Sequence, residues 1–243
     1  MRPFGRDIMD DMFKKIRTVG NRTLVAQFLL SFVLFMVSAI GFALIADEVK
    51  EQDTLRYDDA ILTAINTQSS PLLDAFFVPV TNTGDVIIVS VATLLVAGSL
   101  LYLKKRYKAL LVVVSVVGAA VINVVIKLLF ERTRPDLWEQ IVSEASFSFP
   151  SGHAMASSAL GFALVAVMWN TRWRSVTILL AGLYIALVGL SRLYLGVHYP
   201  TDVIGGWLLS LTWVLLVAGI LYVRIYRKRS GEQLNQKGTE TLT

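Results

Sequence analysis

Long apolar runs alternate with short polar turns along the chain, falling at 24–46, 86–103, 109–130, 153–169, 176–193 and 203–223. Each is close to the roughly 20 residues that carry an α-helix across a hydrocarbon layer about 30 Å thick. A membrane barrel would instead alternate polar and apolar positions over strands of about ten residues, a pattern the sequence lacks. The runs therefore predict an all-α, polytopic membrane protein with six transmembrane helices.

Between the first two runs, 47–85 is too long for a simple turn and reads as an outer loop broken at Ser69-Ser70-Pro71 and again at Pro79. Within it Ala60, Ile61, Ala64 and Ile65, then Leu72, Leu73, Phe76 and Phe77, recur at helical spacing. They predict two short amphipathic helices resting on the membrane surface. Before the first run, Phe4, Ile8, Met12 and Ile16 recur every four residues among charged neighbours, so 1–22 reads as a cytoplasmic amphipathic segment. The membrane domain is expected over 23–229, followed by a polar, unpatterned tail over 230–243 that is expected to be disordered. The first run is too long for a removable signal peptide, lacks a small-residue cleavage site, and is expected to stay as an anchor.

Charge gives the runs a direction. Charged residues make up 17% of the 243 and hydrophobic ones 55%, whereas soluble domains carry about a quarter charged residues. Basic residues crowd into the N-terminal segment, 104–108, 172–174 and 224–237, while the opposite side has only Lys50 and Arg56 outside the candidate site. The excess of lysine and arginine on cytoplasmic loops then places both termini in the cytoplasm. The remaining turns fall on the extracytoplasmic side of the cell (inner) membrane. The net charge of +5 is orientation charge confined to turns and tails, and nucleic acid is not expected as a partner. With no cysteine in the chain, disulfides and thiolate metal sites are excluded.

The chemistry-bearing residues sit at the ends of the runs. Lys127 lies near the outer end of the third, with Arg134-Pro135 seven residues on. Proline disfavours helix at Arg134, so that planar guanidinium is expected in extended backbone, where its fork suits a phosphate. Pro150-Ser151-Gly152-His153 opens the fourth run. A helix start offers free N–H groups and partial positive charge to an anion, Gly152 permits close approach, and Ser151 adds a hydroxyl, although proline and serine also make an ordinary cap. Ser191-Arg192 ends the fifth run, and His198 and Asp202 flank the start of the sixth. A carboxylate holding an imidazole Nδ1 proton leaves Nε2 free as a nucleophile or a base. Both histidines of the chain belong to this set.

The whole pattern runs Lys127-x6-Arg134-Pro135, Pro150-Ser151-Gly152-His153 and Ser191-Arg192-x5-His198-x3-Asp202. It resembles the three-part signature of the type 2 phosphatidic-acid phosphatase superfamily, with every position present at its expected spacing. Ser146-Phe147-Ser148-Phe149 and Tyr194-Leu195-Gly196-Val197-His198 look like the bacterial phosphatidylglycerophosphatase B branch, whose members also act on undecaprenyl pyrophosphate. The resemblance implies an integral membrane lipid phosphate phosphatase. On that footing His198 is expected to attack phosphorus with Asp202 orienting its ring, and His153 to serve as acid and then base. Lys127, Arg134, Arg192, Ser151 and the Gly152 N–H are expected to hold the phosphate oxygens. A lipid phosphotransferase using the same site is the alternative, and a lipid or ion transporter a more distant one, because no mid-span position is ionisable.

Trp138, Phe147 and Phe149, on the loop 131–150, are candidates for part of a gate to the bilayer, and Gly205-Gly206 suits close helix packing within one chain or between chains. Both histidines have other duties and the nearby acids form no ligand cluster, so neither metal nor cofactor is expected. Phosphate release from a lipid phosphate should accordingly run at full rate in EDTA. Loss of activity that a divalent ion restores would contradict this.

Overall fold

The computed structural model describes the backbone over 6–51, 54–142 and 144–240, and side chains over 25–51, 54–142 and 144–224. Among the described residues the regular structure is entirely helical: α1 (Arg6–Glu51), α2 (Leu55–Asn66), α3 (Pro71–Thr83), α4 (Val86–Tyr102), α5 (Arg106–Phe130), α6 (Gly152–Met168), α7 (Arg174–Tyr194) and α8 (Pro200–Glu240). The amphipathic spacing read over 1–22 rests on side chains outside the described residues. α8 runs on to Glu240, through much of the segment expected as a disordered tail, and its side chains beyond Arg224 are likewise outside the description.

Six helices stand where the six apolar runs lie, but they are not alike. Val25–Glu51, Arg106–Phe130, Arg174–Tyr194 and Pro200–Arg224 are each long and apolar enough to cross a membrane. α4 reaches that length only when joined to α3 across a 52° bend, and α6 is a 17-residue apolar helix. Length and composition thus support four spans, or five with the bent pair counted as one. The bend itself has a local cause: Asp85 caps α4 by accepting from the Ile87 N–H at 2.7 Å, so a new helix starts where α3 has just ended.

The two helices expected within 47–85 are present as α2 and α3, the latter capped by the Ser70 hydroxyl on the Leu73 N–H. Pro79 does not break the second one. It lies inside α3, where the ring removes one helical hydrogen bond without ending the helix.

α6 occupies the centre, packed against α5, α7 and α8, while α1 lies along α8. Six of its nine buried residues are small (Ala154, Ser157, Ser158, Ala159, Gly161 and Ala163), which lets neighbouring backbones approach closely. A Cβ on Gly161 would meet Ile185 at 2.8 Å, and one on Gly206 would meet the Ser151 carbonyl at 3.2 Å. The Gly205-Gly206 pair therefore serves packing within the chain. Most buried hydroxyls of the bundle bond to helix carbonyls: Ser158 donates to that of Ala154 at 2.6 Å and Ser210 to that of Met155 at 2.9 Å, whereas the Ser115 hydroxyl on α5 has no partner among the described residues. Polar groups at membrane depth require such partners. Outward faces stay apolar, as on α1, where Phe28 and Val37 are exposed.

Candidate active site

The C-terminal ends of α5 and α7 and the N-terminal ends of α6 and α8 meet at one end of the bundle, and each junction has a residue that makes it. Glu131, with φ 45°, ends α5 in the left-handed region and turns the chain into Arg132-Thr133-Arg134. The loop returns on itself, with the Ser148 N–H donating to the Arg132 carbonyl at 2.8 Å. Gly196, with φ +68°, makes the turn from α7 towards α8, and Trp138 lies against it so closely that a Cβ there would sit 2.5 Å from the indole. The Ser151 N–H donates to the Asp202 carbonyl at 3.1 Å, tying the start of α6 to the start of α8.

His198 is the best-defined group in this region. Its Nδ1 lies 3.2 Å from Asp202 Oδ2, and its Nε2 lies 3.1 Å from an Arg134 guanidinium nitrogen. A guanidinium can only donate, so Nε2 must accept, and the ring proton then resides on Nδ1, donated to Asp202. Two neighbours thus fix one tautomer from opposite sides. The Ser148 hydroxyl donates to the same Asp202 oxygen and lies 3.3 Å from Nδ1. The Tyr199 N–H adds a further bond to that oxygen at 2.9 Å. Burial pushes the imidazole well below its ordinary range, and the Arg192, Arg134 and Lys127 cations push it the same way. At neutral pH the ring is uncharged.

Around Nε2 lies a cationic cup. Lys127 donates to the Ser146 hydroxyl at 2.9 Å and to the Phe147 carbonyl, rather than pairing with Glu131 as a snorkelling lysine would. Arg134 donates through Nε to the Ser146 carbonyl at 2.7 Å, and to the Val197 carbonyl at 2.7 Å. Arg192, 1% exposed, donates to the Thr81 hydroxyl at 2.7 Å. Its other terminal nitrogen holds Glu144, and its buried Nε has no partner among the described residues. Glu144 also lies 3.6 Å from Arg134 and 3.9 Å from His153 Nδ1. Burial alone would raise this carboxyl, but Arg192 and Arg134 hold it below the usual carboxylate range. The cup therefore already grips an anionic group.

The structure brings six of the eight expected site residues into this one contact network: Lys127, Arg134, His153, Arg192, His198 and Asp202. Ser151 is placed differently. Its hydroxyl accepts from the Ala154 N–H at 3.4 Å as the cap of α6, and the side chain is fully buried. Gly152 opens α6, and a Cβ there would touch only Asn123 Oδ1, at an ordinary 3.4 Å. Protein packing does not require a glycine at this position.

Of the aromatic gate candidates, only Phe147 lines the cavity of about 560 Å³ beside Lys127 and Arg134. Phe149 is fully buried, packed between Phe42 and Phe130, and Trp138 packs on Gly196. Glu144, Arg132 and Thr81 were not singled out from sequence; Ser146 and Ser148 entered only through the Ser146-Phe147-Ser148-Phe149 resemblance, with no role in the site, although their spacing two residues apart carries the alternation of an extended segment with one polar face.

A helical membrane bundle that holds a neutral imidazole against a cup of cations is suited to chemistry on an anionic group at the membrane surface. Residues 108–226 match the family model described as the PAP2 superfamily. Phosphatidylglycerophosphatase B of Bacillus subtilis is 30% identical over 183 residues, which cover 73% of this chain and 90% of that protein. An undecaprenyl-diphosphatase of Sulfolobus acidocaldarius is 28% identical over 75% of this chain and 84% of its own length. The crystal structure of a transmembrane PAP2-type phosphatidylglycerolphosphate phosphatase from Bacillus subtilis matches with a TM-score of 0.70 at 29% identity, covering 76% of this chain and 94% of that one. The chain belongs to the PAP2 superfamily. It is a multi-pass membrane phosphatase of that family, and lipid phosphates are the substrates the family implies.

With only two histidines in the chain, the tautomer is accessible to ¹⁵N-histidine NMR, with assignment by a His153→Ala variant. The His198 ring should show a protonated Nδ1 and a bare Nε2, unchanged as pH falls through about 6.5, the ordinary imidazole value. Its lowered pKa means that the neutral form is lost only further to the acid side. A proton on Nε2, or titration near 6.5, would contradict the geometry.

Proposed function

We propose that the protein hydrolyses the terminal phosphate of a membrane lipid, phosphatidylglycerophosphate or undecaprenyl pyrophosphate, through a phosphohistidine on His198. The observation that carries this reading is the bare Nε2 of His198 facing the cup formed by Lys127, Arg134 and Arg192. Nε2 attacks phosphorus as the bond from phosphorus to the lipid oxygen breaks, and a protonated His153 gives its proton to that oxygen. Asp202 stabilises the positive charge the ring acquires. Water then attacks the phosphohistidine while His153 takes a proton from it. The P–N bond breaks, inorganic phosphate leaves, and His198 returns to its neutral Nδ1–H form.

Phosphoryl transfer depends mainly on positioning and charge neutralisation. The three cations supply both, and the unpartnered Arg192 Nε–H is a further donor for an equatorial oxygen. An arriving phosphate replaces the Glu144 carboxylate on Arg192 and Arg134. The N–H groups at the start of α6, beside the unhindered Gly152, receive the remaining oxygen as helix N-termini do. Among the described residues no group of three or more histidines, aspartates and glutamates could hold a metal ion, and the fixed cations fill that electrostatic role.

Six crossings with both termini cytoplasmic place this site on the extracytoplasmic side. In support, the basic residues at 104–106 and 172–174 lie at the opposite end of the bundle from His198, at the α4–α5 and α6–α7 junctions. α6, shorter than its neighbours, is shielded from lipid by α5, α7 and α8. The cavity beside Lys127 is also lined by Val124 and Leu128 on the exposed flank of α5, so a lipid tail can remain in the bilayer while its phosphate reaches the cup.

Purified protein should release phosphate from phosphatidylglycerophosphate, phosphatidic acid or undecaprenyl pyrophosphate, and the ranking of the three identifies the substrate. His198→Ala should lower turnover by several orders of magnitude, on the order of the loss when a catalytic nucleophile is removed, and abolish acid-labile phosphoenzyme. A variant that still labels would overturn the assignment.

A further inference from the structure

Asp202 has two carboxylate oxygens, and the chain uses them for different ends. Oδ2 faces His198, Ser148 and the Tyr199 N–H. Oδ1 receives Arg132 at 2.6 Å. Arg132 lies outside the three-part motif, on the loop that follows α5, and its other terminal nitrogen donates to Asp58 Oδ2 at 2.8 Å. Asp58 belongs to the first turn of α2, a surface-type helix more than a hundred residues away from Asp202 in sequence.

The triad is locked by further bonds. The Thr201 hydroxyl donates to Asp58 Oδ2 at 2.6 Å, and the Thr201 N–H to Oδ1 at 3.2 Å. Arg132 also donates to the Thr201 hydroxyl at 2.8 Å, and its guanidinium lies over the Tyr199 ring at 4.2 Å from the centroid. All three ionic side chains are buried, at 2%, 8% and 0% exposure for Asp58, Arg132 and Asp202.

Burying three charges is a poor way to anchor a helix. Desolvation commonly cancels what the ion pairs gain, and apolar replacements are often as stable or more so. A fork bonded to two carboxylates, one of which also holds a histidine proton, has a different use: it fixes the rotation of that carboxylate and sets how strongly it draws on the proton.

Building on the phosphatase reading above, we propose that Arg132 and Asp58 are positioning residues for the reaction. Arg132 aims Asp202 Oδ2 at His198 Nδ1, and Asp58 balances the charge of Arg132 so that Asp202 keeps its hold on the ring. α2 is thereby part of the catalytic unit, and docking of this surface helix is coupled to the competence of His198. Besides Asp202, the charged groups that act on His198 are Arg192 from α7, Arg134 and Glu144 from the loop and Lys127 from α5. Asp58 lies outside the cavity beside Lys127, and Arg132, which lines that cavity, has its two terminal nitrogens engaged by Asp58, Asp202 and Thr201.

The test compares Arg132→Gln and Asp58→Asn with wild type in the full-length protein. Each should lower kcat by about ten- to a hundred-fold, the scale on which outer partners of a reactive histidine act at metal sites, with KM changed by no more than about two-fold. ¹⁵N-histidine NMR should show opposite effects. Removing the Arg132 cation should move His198 titration towards higher pH, and removing the Asp58 anion should move it lower. In an Asp202→Ala background, Arg132→Gln should cost little more, because it acts through Asp202.

Unchanged kcat, or a loss of kcat with His198 titration unmoved in both variants, would reduce the triad to an anchor for α2 and overturn the inference. Should Arg132→Gln or Asp58→Asn not fold, Arg132→Lys carries the test, since it retains the charge but cannot bridge both carboxylates. It should lower kcat with KM retained, and equal kcat would overturn the proposal. If wild type itself forms no phosphoenzyme, the phosphatase mechanism fails instead, and that outcome is visible without any variant.

Discussion

A histidine attacks phosphorus only through a nitrogen that carries no proton, and here the ring is gripped on both sides to keep one nitrogen bare. Asp202 takes the Nδ1 proton and Arg134, able only to donate, faces Nε2. Burial and three neighbouring cations oppose a second proton. The same cations that disfavour a charged ring are those proposed to receive a phosphate, so in this reading one electrostatic arrangement serves both the nucleophile and the anion. On the proposed mechanism the ring becomes positive when a phosphoryl group bonds to Nε2, and the buried Asp202 carboxylate is already beside it.

The helical bundle supplies this arrangement through its polarity. The N-terminal ends of α6 and α8 and the C-terminal ends of α5 and α7 come together. Helix N-termini carry partial positive charge and C-termini partial negative charge. Lys127 and Arg192 sit in the last turns of α5 and α7, where cations are favoured, and the start of α6 offers N–H groups to an anion. Loop residues complete the site: Ser146 joins Lys127 to Arg134, Ser148 joins His198 to Asp202, and Glu144 occupies the guanidinium groups as an internal anion.

Much of the helical layout was legible because lipid excludes charge, and apolar runs of near-membrane length leave few alternatives. α2 and α3 were legible from helical spacing, but Pro79 was not a break, since a single ring can be accommodated within a helix whose neighbours hold it. The number of spans was less so: α4 reaches crossing length only together with α3 across a bend, and α6 has 17 residues, boundaries that composition does not record. In the site, residues at helix ends stood out because a charge beside an apolar run is conspicuous. Ser151 was read both as a helix cap and as a phosphate donor, and its hydroxyl oxygen accepts from the Ala154 N–H as the cap of α6. Asp58 and Arg132 left no local signal, because each acts through partners 74 and 70 positions away, and an acid in the first turn of an amphipathic helix looks like any solvated one.

The central claim is that His198 Nε2 meets phosphorus within the cup. A crystal structure with orthovanadate, which mimics the five-coordinate arrangement of phosphoryl transfer, tests it most directly. Vanadium should be bonded to His198 Nε2, with its equatorial oxygens on Lys127, Arg134 and Arg192 and the Glu144 carboxylate displaced. Vanadate bonded to His153, or held elsewhere with Glu144 still on Arg192, would contradict the account.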